Sequence, residues 1–335
     1  MLLLSATNTA HQVKSSLGLL TSIATCCGQT AKDLIVKLDF EHKNWESVVK
    51  RQSKEVRKSL VQFLLSFFIV NHPGVAKEFI EKKSLLVNIL PGLIKDEHDI
   101  VLLVLTSFKE SILENPSIGK TSKMKIFSVA NLKFILGLFD WKSQDNSENL
   151  KQSVTEATLE FLVTALTSTK NGIVFHDPSY GTSGSNQNHL LFNFLLSLNE
   201  PWTKPHLAKL VISSLATCPD QIRPYFAKVL QSLWTPRHSE AWFMLIDFIY
   251  AILETIDMPK IVQDLREKPK LMTTVVSQFC CNEKVFKEIV LECVNSNDHL
   301  VLVKGLELEA LLLNKLNYVL QNTSKIQGNI SFQVF

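Results

Sequence analysis

A chain of 335 residues, 46 % apolar and 20 % charged, can bury a core and carries too little charge to be a disordered polymer. Eleven glycines and eleven prolines fall short of what a β-sandwich, a Gly-rich nucleotide fold or a collagen-like rod needs. The formal charge of +3 is too small for the whole chain to act as a polycation. It is unevenly spread, however: residues 1–125 hold 17 Lys and Arg against 12 Asp and Glu, which places any polyanion site in the first third.

Met1-Leu2-Leu3-Leu4 is too short for the apolar core of a signal peptide and runs directly into Ser5-Ala6-Thr7-Asn8-Thr9, so secretion is not expected. Helical spacing then predicts a pair over His11–Cys26 and Gln29–Leu38. From Val56 the apolar residues Leu60, Phe63, Leu64 and Phe67 recur at i+4, i+7, i+8 and i+11, one buried stripe on a helix. The stripe stops at Asn71-His72-Pro73-Gly74, because proline disfavours helix at the residue before it and glycine permits the turn. Val75–Ile80 follows, stepping into Leu85–Leu93.

The same pattern continues as Asp99–Leu113 with Lys125–Phe139, and Leu150–Leu166 with Leu190–Leu198. It goes on as Lys204–Thr217 with Pro219–Trp234, Ser239–Ile256 with Pro269–Cys280, and Glu283–Val294 with His299–Leu320. Pro205, Pro219 and Pro236 stand at helix starts, where the first turn lacks donors in any case, with Thr203 and Thr235 as candidate caps. Strand alternation is absent. About seven hairpins at a period of roughly 40 to 45 residues, with no strict repeat, predict an all-α chain built as an irregular α-solenoid of HEAT or armadillo-like hairpins. A compact all-α bundle is the alternative architecture. The array is expected to run over residues 1–320 as one domain, interrupted by a Gly, Ser and Asn-rich loop at 170–189 and followed by a frayed tail at 321–335. The longest apolar runs, including Val61–Val70 and Ile100–Leu105, are too short to span a bilayer.

Six cysteines, at 26, 27, 218, 280, 281 and 293, show no zinc spacing and read as buried thiols of a reducing compartment. Gly119-Lys120-Thr121 ends like a phosphate loop, but Glu114 stands where the first glycine belongs and a helix precedes it; an interhelical loop is expected. Gly181–Ser185 lacks a lysine, and His176-Asp177 has no nucleophile beside it, so both read as loop. No catalytic set, metal site or cofactor site is therefore expected. Lys120, Lys123 and Lys125 read as a solvated group. Trp202, Trp234, Trp242 and Phe243 read as core packing rather than base stacking. The one candidate face is basic: Lys50, Arg51, Lys54, Arg57 and Lys58. In a helix begun early enough, positions 50, 54, 57 and 58 share a side away from the Leu60–Phe67 stripe and could contact phosphates by charge.

The run Val56–Phe67, the segments 77–93 and Lys123–Asp140, and residues 190–202 with 206–226 resemble the N-terminal region of the nucleolar pre-ribosomal-associated protein 1 family. The resemblance extends from about His11 to Val262 and on toward Leu320. It implies a very long helical-repeat protein of the nucleus and nucleolus that acts early in 60S assembly. Implied with it are contacts to pre-ribosomal RNA and to other assembly factors, including a DEAD-box RNA helicase, and no small-molecule substrate, membrane or catalytic residues. Against such chains, 335 residues read as a fragment or a truncated isoform. A helical-repeat adaptor of transport or coat type, without RNA, fits the same fold.

Overall fold

The computed structural model describes residues 8–40, 42–50, 53–70, 72, 74–81, 84–143, 147–175, 189–229, 239–269, 272–277 and 285–323. Among these residues every regular element is helical, as the missing period-two alternation predicts. None of their helices is long and apolar enough to cross a membrane. Two compact units are present, Met1–Val174 and Phe175–Phe335.

In the first unit, α1 (Ala10–Cys26) opens on a capping box. Gln12 N–H donates to the Thr9 hydroxyl and Thr9 N–H donates to the Gln12 amide oxygen, which satisfies donors at both ends of the first turn. Next come α2 (Gly28–Lys37), α3 (Lys43–Val49) and α4 (Lys54–Ile69). The expected stripe of α4 is buried, together with Val61, Leu65 and Phe68. Burial reaches well round the helix because α1, α3, α5 (Val75–Glu81) and α7 (His98–Phe108) all pack against it. Trp45 of α3, where no helix was predicted, lies nearly parallel to Phe63 at 5.8 Å. Phe40, Phe67 and Phe79 complete an aromatic cluster, with Phe67 and Phe79 centroids 4.4 Å apart. At the turn into α5, Gly74 has φ +85°, a conformation that L side chains rarely adopt.

The unit continues through α6 (Ser84–Asn88), a 3-10 helix at Leu90–Lys95, α7 and a π turn at Lys109–Leu113. The helix expected over Lys125–Phe139 is instead two, α8 (Lys120–Ile126) and α9 (Val129–Leu136), the second running into a 3-10 turn at Gly137–Asp140. Ser128 breaks the run: its hydroxyl accepts from Asn131 N–H, and Asn131 Nδ2 donates 2.6 Å to the Ile126 carbonyl. A polar pair of this kind offers the backbone an alternative to continuing the helix.

The last helix of the unit, α10 (Glu148–Thr167), packs on α7. Beyond it, the start of the expected 170–189 loop turns back: Ile173 N–H donates to the Ala165 carbonyl, and Ile173 and Val174 are buried. Residues 176–188, which include His176, Asp177 and the Gly181–Ser185 stretch, lie outside the described residues.

The lysines at 120 and 123 are not solvated. Lys123 is 3 % exposed, and its ammonium donates to the carbonyls of Leu113 at 2.5 Å and Asn171 at 3.2 Å. The Lys120 ammonium reaches the Val174 carbonyl at 2.8 Å. Together they tie α8 to the end of the π turn and to the chain leaving α10, satisfying carbonyls that helix ends leave without partners. Burial, then the neighbouring Lys120 charge, lowers the Lys123 pKa from its ordinary value. Lys123→Met keeps the apolar stem but strands two carbonyls. A loss of about 2 to 3 kcal/mol in urea denaturation is expected, with no matching loss for the exposed Lys125→Met.

In the second unit, α11 (His189–Leu196) leads through a 3-10 turn at Pro201–Thr203 to α12 (Pro205–Thr217). Pro205 and Pro219 do stand at the first positions of their helical turns. Thr203 does not cap α12, since its hydroxyl turns back to the Glu200 carbonyl at 2.8 Å. Residues 230–238, with Trp234 and Thr235, lie outside the described residues. After α13 (Ile222–Val229) come α14 (Glu240–Glu254) and α15 (Met258–Glu267), the latter unpredicted. Short α16 (Met272–Val275) and α17 (Leu291–Val294) precede the 25-residue α18 (His299–Thr323).

Helix α18 packs on α14, α15 and α17. A Cβ at Gly305 would lie 2.4 Å from the Cys293 Cβ, so glycine sets how closely α17 and α18 approach. The helix carries through Thr323, three residues beyond its expected end and into the first residues of the expected tail. Trp202 lies on Phe248 and Trp242 on Phe243, each only partly buried. Cys218 and Cys293 are buried, but Cys26 and Cys27 are exposed, since they occupy the junction between α1 and α2 rather than a packed helix face.

Candidate nucleic-acid interface

Five basic residues of the first third line one cleft. Helix α3 ends at Val49 and α4 begins at Lys54, so no single helix carries positions 50 to 58. The chain nevertheless brings Lys50, Lys54, Arg57 and Lys58 to a common cavity of about 450 Å³. Its other side comes from the 3-10 helix and the entry to α7, through Gly92, Lys95, Asp96, Glu97 and Ile100. Five basic groups thus face two acidic ones. Lys54 and Lys58, one helical turn apart on α4, are exposed, as are Lys50 and Lys95. Lys50 also meets Glu46 at 3.4 Å, a solvent-exposed pair with little hold on it. Arg51 lies outside the described residues.

Arg57 behaves differently from its neighbours. Its side chain is only 16 % exposed and forms a two-pronged pair with Asp96: Nε donates to Oδ1 at 2.5 Å and Nη2 to Oδ2 at 2.6 Å. The same Nη2 donates to the Ile89 carbonyl at 2.7 Å. A planar guanidinium fits a carboxylate in this fork geometry, and a lysine does not. Gly92 makes room for it, because a Cβ there would lie 2.5 Å from the Arg57 Cζ.

Asp96 is held from its backbone as well. Trp141 Nε1 donates to its carbonyl at 2.9 Å, and its own N–H donates to Leu93. Burial pushes the Asp96 carboxyl above its ordinary value, with the Arg57 guanidinium pulling the other way and the Glu97 charge adding to the rise. Arg57 and Asp96 therefore form a neutral, rigid wall. The remaining charge of the cleft belongs to four lysines, Lys50 among them paired with Glu46, and to Glu97.

Lys95 lies 37 positions beyond Lys58, and no local periodicity points to it. Only the packing of the 3-10 helix beside α7 and α9 brings it to the cleft. Such a surface can hold backbone phosphates by charge, with no group arranged for covalent chemistry. Among the described residues no three His, Cys, Asp or Glu side chains gather as a metal site.

Comparison with known proteins matches the same part of the chain. The family model Npa1, described as "Ribosome 60S biogenesis N-terminal", matches residues 3–245. The chain is 30 % identical over 298 residues to nucleolar pre-ribosomal-associated protein 1 of Homo sapiens, covering 82 % of this chain and 13 % of the human protein. To the Mus musculus protein of the same name it is 30 % identical over 299 residues, covering 83 % of this chain and 13 % of that protein. It thus spans about an eighth of the length of these relatives. A family model that covers both the α4 stripe and the basic cleft leaves one assignment: this chain belongs to the Npa1 family, "Ribosome 60S biogenesis N-terminal".

Proposed function

We propose that this chain is a non-catalytic scaffold in the nucleolar assembly of the large ribosomal subunit, contacting pre-ribosomal RNA and other assembly factors early in that process. Family membership supports the assembly role, and the resemblance adds a DEAD-box RNA helicase to the expected partners. The observation that carries the RNA contact is the cleft where Lys50, Lys54, Lys58 and Lys95 stand exposed around a neutralised Arg57–Asp96 wall. Exposed lysine ammonium groups bind phosphate by charge and position the RNA without reading its bases. Against nucleotide hydrolysis, Lys120 of the Gly119-Lys120-Thr121 stretch is engaged with the Val174 carbonyl and starts α8 rather than closing a phosphate loop.

The test replaces Lys50, Lys54 and Lys58 by Gln and leaves Arg57 in place, so that fold and binding are not changed together. With unchanged circular dichroism, affinity for structured ribosomal RNA should fall at least tenfold at low salt. The log–log salt slope should shrink by about two to three, as expected for three lost phosphate contacts. A variant that binds as well as the parent removes this face from RNA binding and favours the adaptor reading with protein partners alone.

A further inference from the structure

Every described phenylalanine of the first unit is buried except Phe134, which is 41 % exposed on the outer side of α9. Its helix neighbours Leu132 and Ile135 face the core, so the ring is not exposed by fraying. A single exposed ring would need no explanation. This one has a defined neighbourhood.

One turn further along, Gly137 lies beneath Ile94 of the 3-10 helix: the Ile94 Cδ1 is 4.0 Å from where a Gly137 Cβ would stand. Ile94 is itself 38 % exposed, and the next residue, Lys95, lines the basic cleft. Lys133, beside Phe134, is exposed as well. An apolar strip with an aromatic at its far end therefore abuts the cationic rim. The span from the Phe134 Cβ to the Lys95 Cα is at most about 18 Å, within reach of a strand a few nucleotides long.

We propose that Phe134 is a base-stacking platform for a single-stranded RNA segment whose phosphates lead into the cleft at Lys95. This rests on the reading of the cleft as an RNA contact and extends it from charge alone to charge plus stacking. An exposed ring offers a π-face that any base can cover, and sequence-tolerant single-strand sites combine such rings with a basic track. Ile94, half-exposed next to Lys95, supplies apolar surface between the two. The lysine charge favours this occupant over an apolar peptide segment, which would gain from Phe134 and Ile94 but not from Lys95 and Lys133.

The experiment uses the full chain and two fluorescent RNA decamers with equal numbers of phosphates, one of mixed sequence and one abasic at its central positions. Phe134→Ala and Phe134→Leu should weaken the base-bearing decamer about tenfold and leave the abasic one unchanged, whereas Phe134→Trp should restore affinity. Lys95→Gln should weaken both decamers and lower their salt slopes. Equal binding by all Phe134 variants, or equal losses on both decamers, overturns the stacking platform while the lysine cleft stands. Full affinity in Phe134→Leu also overturns it, marking the strip as an apolar, protein-type contact. A parent that binds neither decamer nor structured ribosomal RNA overturns the RNA reading of the cleft along with it.

Discussion

Arg57→Gln is expected to destabilise the protein by about 3 to 5 kcal/mol near neutral pH. The cause is the carboxylate left behind. Asp96 is 8 % exposed at its side chain and has Arg57 as its ion-pair partner, so removing the guanidinium strands a buried charge and also deprives the Ile89 carbonyl of a donor. The deficit should depend on pH in a specific direction. Burial holds the folded-state Asp96 pKa above its ordinary value, and Arg57 opposes that rise, so in the variant it rises further. A raised carboxyl pKa means that the folded state binds more protons than the unfolded chain. Its contribution is fully present below the unfolded pKa and is lost as pH climbs through the folded one. The difference between parent and variant should therefore be largest at pH 7 to 8 and shrink toward pH 4 to 5, as followed by urea midpoints across that range. A deficit that is flat with pH would show that Asp96 stays ionised in both proteins. Gly92→Ala should reproduce part of the loss, because its new methyl group occupies the guanidinium's place.

Phe63→Ala is expected to cost about 3 to 5 kcal/mol, through a cavity rather than a charge. Phe63 is fully buried and touches three rings at once: Trp45 at 5.8 Å, Phe67 at 5.3 Å and Phe40 at 6.5 Å. Removing it takes away one of the two rings stacked on Trp45, leaving Phe40 at 5.6 Å, and weakens the attachment of α3, whose indole N–H donates to the Asp39 carbonyl at 3.0 Å. Phe63→Leu should recover more than half of the loss, since most of the volume returns without the ring contacts. Urea denaturation with unchanged m-values checks this. An alanine variant within 1 kcal/mol of the parent would mean that α1, α5 and α7 collapse into the space.

Much of this architecture is legible in the residues. The spacing of Val56, Leu60, Phe63, Leu64 and Phe67 defines the buried side of α4, because a helix repeats its faces every 3.6 residues whatever it packs against. Pro205 and Pro219 mark helix starts through a property of their own backbone, the missing N–H. The family resemblance is likewise carried by sequence alone.

Helix α3 is hard to read locally because it has seven residues, and Trp45 owes its burial to rings supplied by other elements, whereas α15, though not predicted, does carry an i, i+3, i+4, i+7 stripe at Met258, Ile261, Val262 and Leu265. The break at Ser128 escaped because apolar periodicity runs across it, whereas the Asn131 amide that ends α8 leaves no mark on that pattern.

Charged residues divide most clearly between the two levels. Sequence alone determines that the first third is basic and that Lys54, Arg57 and Lys58 cluster. It does not distinguish Arg57, locked against Asp96, from Lys58, exposed one position later, nor buried Lys123 from exposed Lys125. Adjacent helical residues point about 100° apart, and what each one meets is set by chain that lies far away in sequence. Asp96 is 39 positions from Arg57 and the Asn171 carbonyl is 48 from Lys123. Local pattern reports which way a side chain leaves its helix; only tertiary packing decides whether water, a carboxylate or a carbonyl is waiting there, and so which lysines remain exposed.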